Sequence, residues 1–501
     1  MKTLVQSYRA KLMALCFVLA ALFLGVCSKS SPFYPINDWV DVHCFFTVGR
    51  SILDGLVPYR DLYEQKGPVL YFLYAIAAII SDKSFLGVFF LEVVTFGLFL
   101  YFCGQIARLY LGKSRAVYGI CAVLAAVIPV SGAFAHGGGA EQLCLFMLAY
   151  SLMSVLQALK ENRCLTVLEG VLNGVFAACV LYVKFTMLGF YLGLALFVII
   201  WYLSVRQSAR LLSTIASFLL GVAGVSVIVL GYFAIHGAVG DFFTVYFYNN
   251  LFLYPMETEA SKLELIQNCL KSTLQYNTSY SWFLTIGIVL FLLEIRTNWR
   301  GFLMAILTFG GLTVGTYWGG RGYTYYGLIL SVYTVFGLIV LVRACQIAGA
   351  PKLPRWLSHW GVTLAGMVLV VTMLLNYSYK TSTNTYLMDF EKEDHPAYRF
   401  AETINTVENP TLLNFGFLDG GFYYAADVTP SCEFFCTLNI NAPDMWYRQY
   451  DCINNREVDF VITRQYPLTN YYVDPSGYEL VDETTFYFEG WDFTYYLYQK
   501  K

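Results

Sequence analysis

The residues best suited to chemistry cluster between positions 37 and 74, which read NDWVDVHCFFTVGRSILDGLVPYRDLYEQKGPVLYFLY. Asp38, Asp41, Asp54, Asp61 and Glu64 stand there with Arg50, Arg60 and Lys66 among apolar side chains. A carboxylate near a membrane surface is costly unless it has a partner or a task. Proton transfer is the task open to it. Asp54 and Asp61 read as solvated loop charges. Asp38 and Asp41 are three residues apart, so they share a face if the segment is helical. They directly precede an amphipathic run (Phe45, Phe46, Val48, Ile52, Leu53) suited to a membrane interface. Three other positions stand out. Glu141 follows a glycine-rich turn, FAHGGGAEQ, where a carboxylate is favoured at a helix start; His136 reads as a loop residue. Lys184 and Arg321 lie at turns between apolar runs. Cations there suit a phosphate, although a snorkelling lysine is the plainer account of Lys184.

The elements that must position these residues are membrane helices. Of 501 residues, 57% are hydrophobic and 13% charged. Soluble domains carry about 25% charge, so a plain soluble enzyme is excluded, as is a disordered or fibrous chain. Residues 12–26 follow Lys2, Arg9 and Lys11 and read as an uncleaved first span or signal anchor. Ten further apolar stretches follow, at 84–107, 116–134, 141–159, 165–183, 186–205, 211–235, 280–295, 301–318, 323–342 and 359–376. The expected fold is thus a multi-span α-helical membrane protein with about eleven transmembrane helices. Pro68–Ile80 is too short to cross about 30 Å of hydrocarbon and is expected to be a re-entrant or interfacial helix.

Charge supports that topology. If 68–80 does not span, Arg108, Lys113 and Arg115, then Lys160 and Arg163, then Arg206 and Arg210, then Arg296 and Arg300, then Arg343, Lys352 and Arg355 all fall on the side of the N-terminus, the cytoplasm. The net charge of −2 hides a division: −11 from Tyr377 onward and +9 before it. Residues 1–376 are expected to form the membrane domain, with a large outer loop over 28–83. Residues 377–501 are expected to form a small extracytoplasmic α/β domain, with a helix at 396–407 and strands at 411–415, 458–463, 479–481, 486–488 and 495–498. A disulfide among Cys432, Cys436 and Cys452 is open to a tail outside the cell. No Gly-x4-Gly-Lys-Ser/Thr loop occurs, which excludes an ATP-driven pump for this chain alone.

The order Asp, Gly-Arg helix, Asp-Gly-x-x-Pro-Tyr-x-Asp, then Lys-Gly-Pro-x-x-Tyr resembles the first loop of bacterial GT-C glycosyltransferases. Distant relatives of similar layout are the protein O-mannosyltransferases and the lipid A aminoarabinose transferase. The resemblance spans the membrane part and is strongest over 37–74. It implies a GT-C fold and a plasma-membrane hexosyl- or pentosyltransferase. The sugar would move from a polyprenyl-phosphate donor to an extracytoplasmic glycan, lipid or protein acceptor. Asp41 takes the place of the family's catalytic carboxylate. Val42 replaces a frequent Glu, and Asp38 is the expected substitute. Glu64-Gln65-Lys66-Gly67-Pro68 stands for the acidic-Lys-Pro-Pro element, making Lys66 a lipid-phosphate contact and Glu64 a contact to substrate or metal. Any divalent metal ion would fall to Asp41 and Glu64. Glu141 matches a Gly-Gly-x-x-Glu, and Arg321 a Gly-Arg-x-Tyr-x-His-Tyr in which Tyr325 replaces the His; with Lys184 these are the remaining substrate contacts. The lipid bilayer is an expected partner and nucleic acid is not. A secondary transporter or flippase of a lipid-linked substrate is the alternative, and Glu92 is the main acid inside a span. The tail is either an acceptor-binding domain or a packing domain.

Overall fold

The computed structural model describes residues 2–255, 259–294, 298–348, 360–488 and 490–501. Ile295, Arg296, Lys352, Arg355 and His359, cited above for span ends and orientation, lie outside the described residues. The chain is a multi-pass membrane protein. It divides into two compact units, one of residues 1–33, 89–227 and 257–385, the other of 34–88, 228–256 and 386–501.

Each predicted span carries helix: α1 (Lys2–Cys27), α2 being reserved for the first loop (Val40–Leu53), α3 (Pro68–Ile80), α4 (Leu86–Leu111), α5 (Ala116–Val127), α6 (Ala140–Lys160), α7 (Val167–Lys184), α8 (Gly189–Ser204) and α9 (Ser208–Ile235). Thr278–Glu294, Trp299–Tyr317, Thr334–Ile347 and Trp360–Thr381 follow. Among the described residues, six helical runs are long and apolar enough to cross a membrane, and a bent pair makes a seventh if it is one span. Eleven segments therefore compress to fewer long runs, partly because some are short and partly because two adjoin. Val167–Ser204 is one such run, but it is a hairpin. The Leu165 amide donates to the Tyr202 hydroxyl at 2.8 Å, which joins its two ends.

In the first unit, glycine sets the helix packing. A Cβ on Gly189 would lie 2.0 Å from the Gly311 carbonyl oxygen, and one on Gly193 2.0 Å from that of Leu307. Close backbone approach through small residues is how membrane helices gain contact without a hydrophobic driving force. The stretch between the spans expected at 211–235 and 280–295 contains an unforeseen helix, Lys262–Tyr276, with Ser261 accepting from the Glu264 amide as its N-cap. It meets Thr278–Leu293 at a 115° bend. Asn277 holds the bend: its amide donates to the Thr273 carbonyl at 2.8 Å, and its oxygen accepts from the Ala133 amide at 2.6 Å.

In the second unit, α2 and α3 pack together. Gly49 permits this, since a Cβ there would sit 2.7 Å from the Tyr74 carbonyl carbon. Gly49→Ala is expected to push the helices apart and cost about 1–3 kcal/mol, read as a lowered melting temperature in detergent. Helix α3 has the predicted bounds because Gly67 caps it and Pro68 fills its first position. Helix α2 departs from expectation. It is not a surface-lying helix: Val42 through Gly49 and Ser51 are buried.

The tail forms a four-stranded sheet of order β1-β2-β4-β3, with β1 (Leu412–Asn414), β2 (Phe460–Arg464), β3 (Tyr478–Phe488) and β4 (Trp491–Lys500). β1 and β2 are parallel and the rest antiparallel. The two strands expected at 479–481 and 486–488 are one, with a bulge between Leu480 and Asp482. Helices Phe422–Ala426 and Pro443–Asn454 were not expected from the apolar pattern. All thirteen cysteines are free; Cys432 and Cys452 lie in the tail core as reduced apolar side chains.

His395 caps Pro396–Ile404, its Nδ1 accepting from the Ala397 amide at 3.3 Å. Burial pulls its pKa down to about 4, with Asp38 pulling up and His43 pushing down. A lowered histidine stabilises the fold above its unfolded pKa of about 6.5 and loses that contribution as pH falls toward 4. The shift corresponds to about 3 kcal/mol. His395→Gln is therefore expected to flatten the fall in melting temperature between pH 6.5 and 4.

Candidate functional site

The candidates form two groups, one on each unit. Asp38, Asp41, Glu64 and Lys66 belong to the second unit. Helix α2 starts at Val40, so Asp41 sits in its first turn and Asp38 lies before it. The expected shared helical face of the two acids is therefore not formed. Asp38 is buried and Asp41 half-buried. The Asp41 carboxylate makes no hydrogen bond or ion pair with any described residue. It lies in the positive field of the helix start, which favours negative charge.

Glu64 is buried at 3% exposure and already engaged. Its Oε2 accepts from the Lys66 amide at 2.8 Å and from the Tyr71 hydroxyl. Burial raises its pKa, with Lys66 pulling it down and Asp41 pushing it up. Asp41, Glu64 and Lys66 thus feel one another's charge. The Lys66 Nζ stands 5.5 Å from the centre of the Phe45 ring on α2. Tyr71, the last residue of Lys-Gly-Pro-x-x-Tyr, received no role in the sequence reading, although the motif already displayed it. Among the described residues, no group of three or more His, Cys, Asp or Glu side chains is arranged to hold a metal ion.

Behind α2 lies a polar cluster that sequence spacing did not reveal. Thr47 donates to Asp419 Oδ2 at 2.6 Å, and the Gly421 amide donates to its Oδ1 at 2.8 Å. His43 Nε2 donates to the Asn37 carbonyl at 2.6 Å. Asp419 is fully buried, and burial raises its pKa against the pull of His43. Further along, Arg50 and Lys83 both pair with Asp427, and Thr429 donates to Asp54 at 2.6 Å. Tyr63 stacks on Phe434 at 4.6 Å. The tail residues 419–434 therefore clamp the first loop. Asp54 and Asp61 are not plain solvated charges: Asp61 accepts from Arg60 and from the Val57 amide, and Arg60 holds its carboxyl below the usual range.

The first unit holds Glu141, Lys184, Arg321 and Tyr325. Glu141 occupies the first turn of α6, and Lys184 ends α7. Both are buried, and Lys184 Nζ donates to Glu141 Oε1 at 2.5 Å. The lysine also stands 3.2 Å from the Tyr326 ring centre and 5.6 Å from that of Tyr325. A buried lysine between a carboxylate and two rings is not a snorkelling one. Tyr325 stacks on Tyr323 at 5.7 Å, and Tyr323's hydroxyl accepts from Arg321 at 3.4 Å. The four predicted residues are thus joined in one row, completed by Tyr323 and Tyr326. The alternating tyrosines of RGYTYYG were the signal for those two.

The turn before α6 is closely packed and hydrogen-bonded. Gly137 has φ +88°, and a Cβ there would meet Ser28 Oγ at 2.3 Å and Glu92 Oε1 at 2.5 Å. Glu92 accepts from the Ser28 hydroxyl and from the Gly138 amide, each at 2.7 Å. Its carboxylate is spent on holding this turn, which in turn sets Glu141 at the start of α6.

No protein-family model matches the sequence, and no curated protein matches it. Among solved structures, ArnT from Cupriavidus metallidurans bound to undecaprenyl phosphate is similar over 99% of this chain and 98% of its own, with a TM-score of 0.58 at 13% identity. The apo state of the same protein matches over 98% of both chains, with a TM-score of 0.57 at 12% identity. From end to end, the chain shares the fold of ArnT, the layout that the resemblance of its first loop implies.

Proposed function

We propose that the protein is a plasma-membrane glycosyltransferase that moves a hexose or pentose from a polyprenyl-phosphate donor to a hydroxyl on an extracytoplasmic glycan, lipid or protein. The observation that carries this reading is the full-length likeness to ArnT, seen with undecaprenyl phosphate bound. The orientation rests on the charge rule: Arg108, Lys113, Arg115, Lys160, Arg163, Arg206 and Arg210 in the cytoplasm, and the acidic tail outside.

In the proposed reaction the acceptor oxygen attacks the sugar C1. Asp41, whose carboxylate has no hydrogen-bond or ion-pair partner among the described residues, takes the hydroxyl proton. The bond from C1 to the phosphate oxygen breaks, and its electron pair stays on the lipid phosphate. Lys66 is the phosphate contact supplied by the unit that carries Asp41; Glu64 orients the Lys66 segment through its bond to the Lys66 amide. Asp38, buried before α2, is a positioning carboxylate. Within the other unit, Lys184 and Arg321 are proposed substrate contacts, with Glu141 holding Lys184 and Tyr325 lining the row. Glu92, the main acid inside a span, accepts from the Ser28 hydroxyl and the Gly138 amide, which supports a structural use for it rather than a transporter's.

The test presents membranes containing the protein with a panel of polyprenyl-phosphate sugars. Sugar separated from lipid supports transfer. Intact lipid-linked sugar moved across the bilayer, with no bond broken, would support a flippase instead.

A further inference from the structure

The first unit contains a cavity of about 530 Å³ away from the row just described. Its lining includes Asn162, Arg163, Thr166, Trp201, Arg210 and Arg300. Thr166 is the N-cap of α7, while Lys184 is the last residue of that helix. Eighteen residues of helix separate them, or about 27 Å. By the charge rule this end of α7 faces the cytoplasm.

Three helix starts meet the cavity. Thr166 opens α7, Arg210 lies in the first turn of α9, and Arg300 lies in the first turn of Trp299–Tyr317. A helix start carries positive potential, and three of them contribute residues to this one lining. Thr166 and Asn298 cap two of these helices with their own side chains, so the dipoles rather than free amides are the contribution there. The arginines differ in what they have to do. Arg163 is neutralised by Glu161 at 2.6 Å and by Glu169 through two bonds of 2.7 and 2.8 Å. Arg210 is exposed and has no carboxylate partner among the described residues. The Nε of Arg300 is buried and has no hydrogen-bond partner there. A buried guanidinium nitrogen without an acceptor is costly. An acceptor entering the cavity would remove that cost.

An orientation signal needs only charge on a face. It does not need a ligand-sized cavity, a buried unpaired arginine nitrogen and three helix starts together. We propose that this cavity is a binding site for a phosphate group, held by Arg210 and Arg300, with Trp201 as an apolar wall for whatever carries the phosphate. The proposal does not rest on the transfer reading. The phosphate could belong to a soluble anion or to a phospholipid headgroup of the inner leaflet, and the two are distinguished by experiment.

The full-length protein in detergent is titrated by calorimetry with inorganic phosphate, and separately with dihexanoyl phosphatidylglycerol. Saturable binding near one site per chain is expected for at least one probe. Saturation by phosphate itself indicates a soluble ligand; saturation by the lipid alone indicates a headgroup. R210Q/R300Q should weaken that binding at least tenfold, and the exposed R210Q alone about threefold, which guards against misfolding of the double variant. K113Q, a basic loop residue outside the cavity lining, should bind like wild type. No saturation by either probe, or equal binding by R210Q and wild type, would overturn the proposal.

Discussion

Asp41→Asn should lower sugar transfer by about 10²–10⁴-fold, the usual contribution of a positioned general base, with little change in melting temperature. The size follows from the side chain's situation. Asp41 is half-buried in the first turn of α2 and makes no hydrogen bond or ion pair with the described residues. Replacing its oxygen by an amide therefore breaks no structural contact, and the loss falls on proton transfer. Glu64→Gln should behave differently. That carboxylate binds Tyr71 and the Lys66 amide, so its replacement should disturb the loop and raise the apparent KM together with lowering stability. A donor-release assay on purified variants, read beside their melting curves, separates the two residues. Equal loss of stability in both variants would remove Asp41 from the role of base.

Lys184→Met is the second large effect. The lysine and Glu141 form a buried pair. Removing one partner of such a pair leaves an uncompensated charge and costs about 3–5 kcal/mol. The double variant Glu141→Gln/Lys184→Met leaves no buried charge and should regain most of that stability. It should not regain transfer if Lys184 is the substrate contact proposed; losing one such contact costs about 10²–10³ in rate. The comparison of single and double variants by melting and by turnover checks both halves. A double variant that recovers turnover along with stability would make Lys184 purely structural.

Much of this was legible from local signals. Helix α3 follows from Gly67 and Pro68 ahead of thirteen apolar residues, and the hairpin at Lys184 from a cation between two apolar runs. The row from Glu141 to Arg321 was legible as separate residues but not as a row, because its members come from α6, α7 and the 321–326 turn. What stayed hidden was non-local or masked by polarity. Thr47 meets Asp419 across 372 positions, a separation no spacing rule reaches. Strand β3 reads as two strands because Asp482 and Glu483 interrupt its apolar run, yet Glu483 is exposed and Asp482 is half-buried in a pair with Arg399 at 2.6 Å. Lys262–Tyr276 is amphipathic, burying only Ile266, Cys269 and Thr273, so it did not stand out from a polar loop. The burial of α2 was missed for the converse reason. Its amphipathic pattern matched a membrane interface, but tail residues near Asp419 and Phe434 cover it.

The most direct test of the account is to incubate purified protein with a radiolabelled polyprenyl-phosphate sugar and membranes supplying acceptors, and to follow both products. Wild type should release one polyprenyl phosphate for each sugar fixed on the acceptor, and Asp41→Asn should release neither above background. Lipid-linked sugars left intact by wild type across the donor panel, or release that continues undiminished in Asp41→Asn, would contradict it.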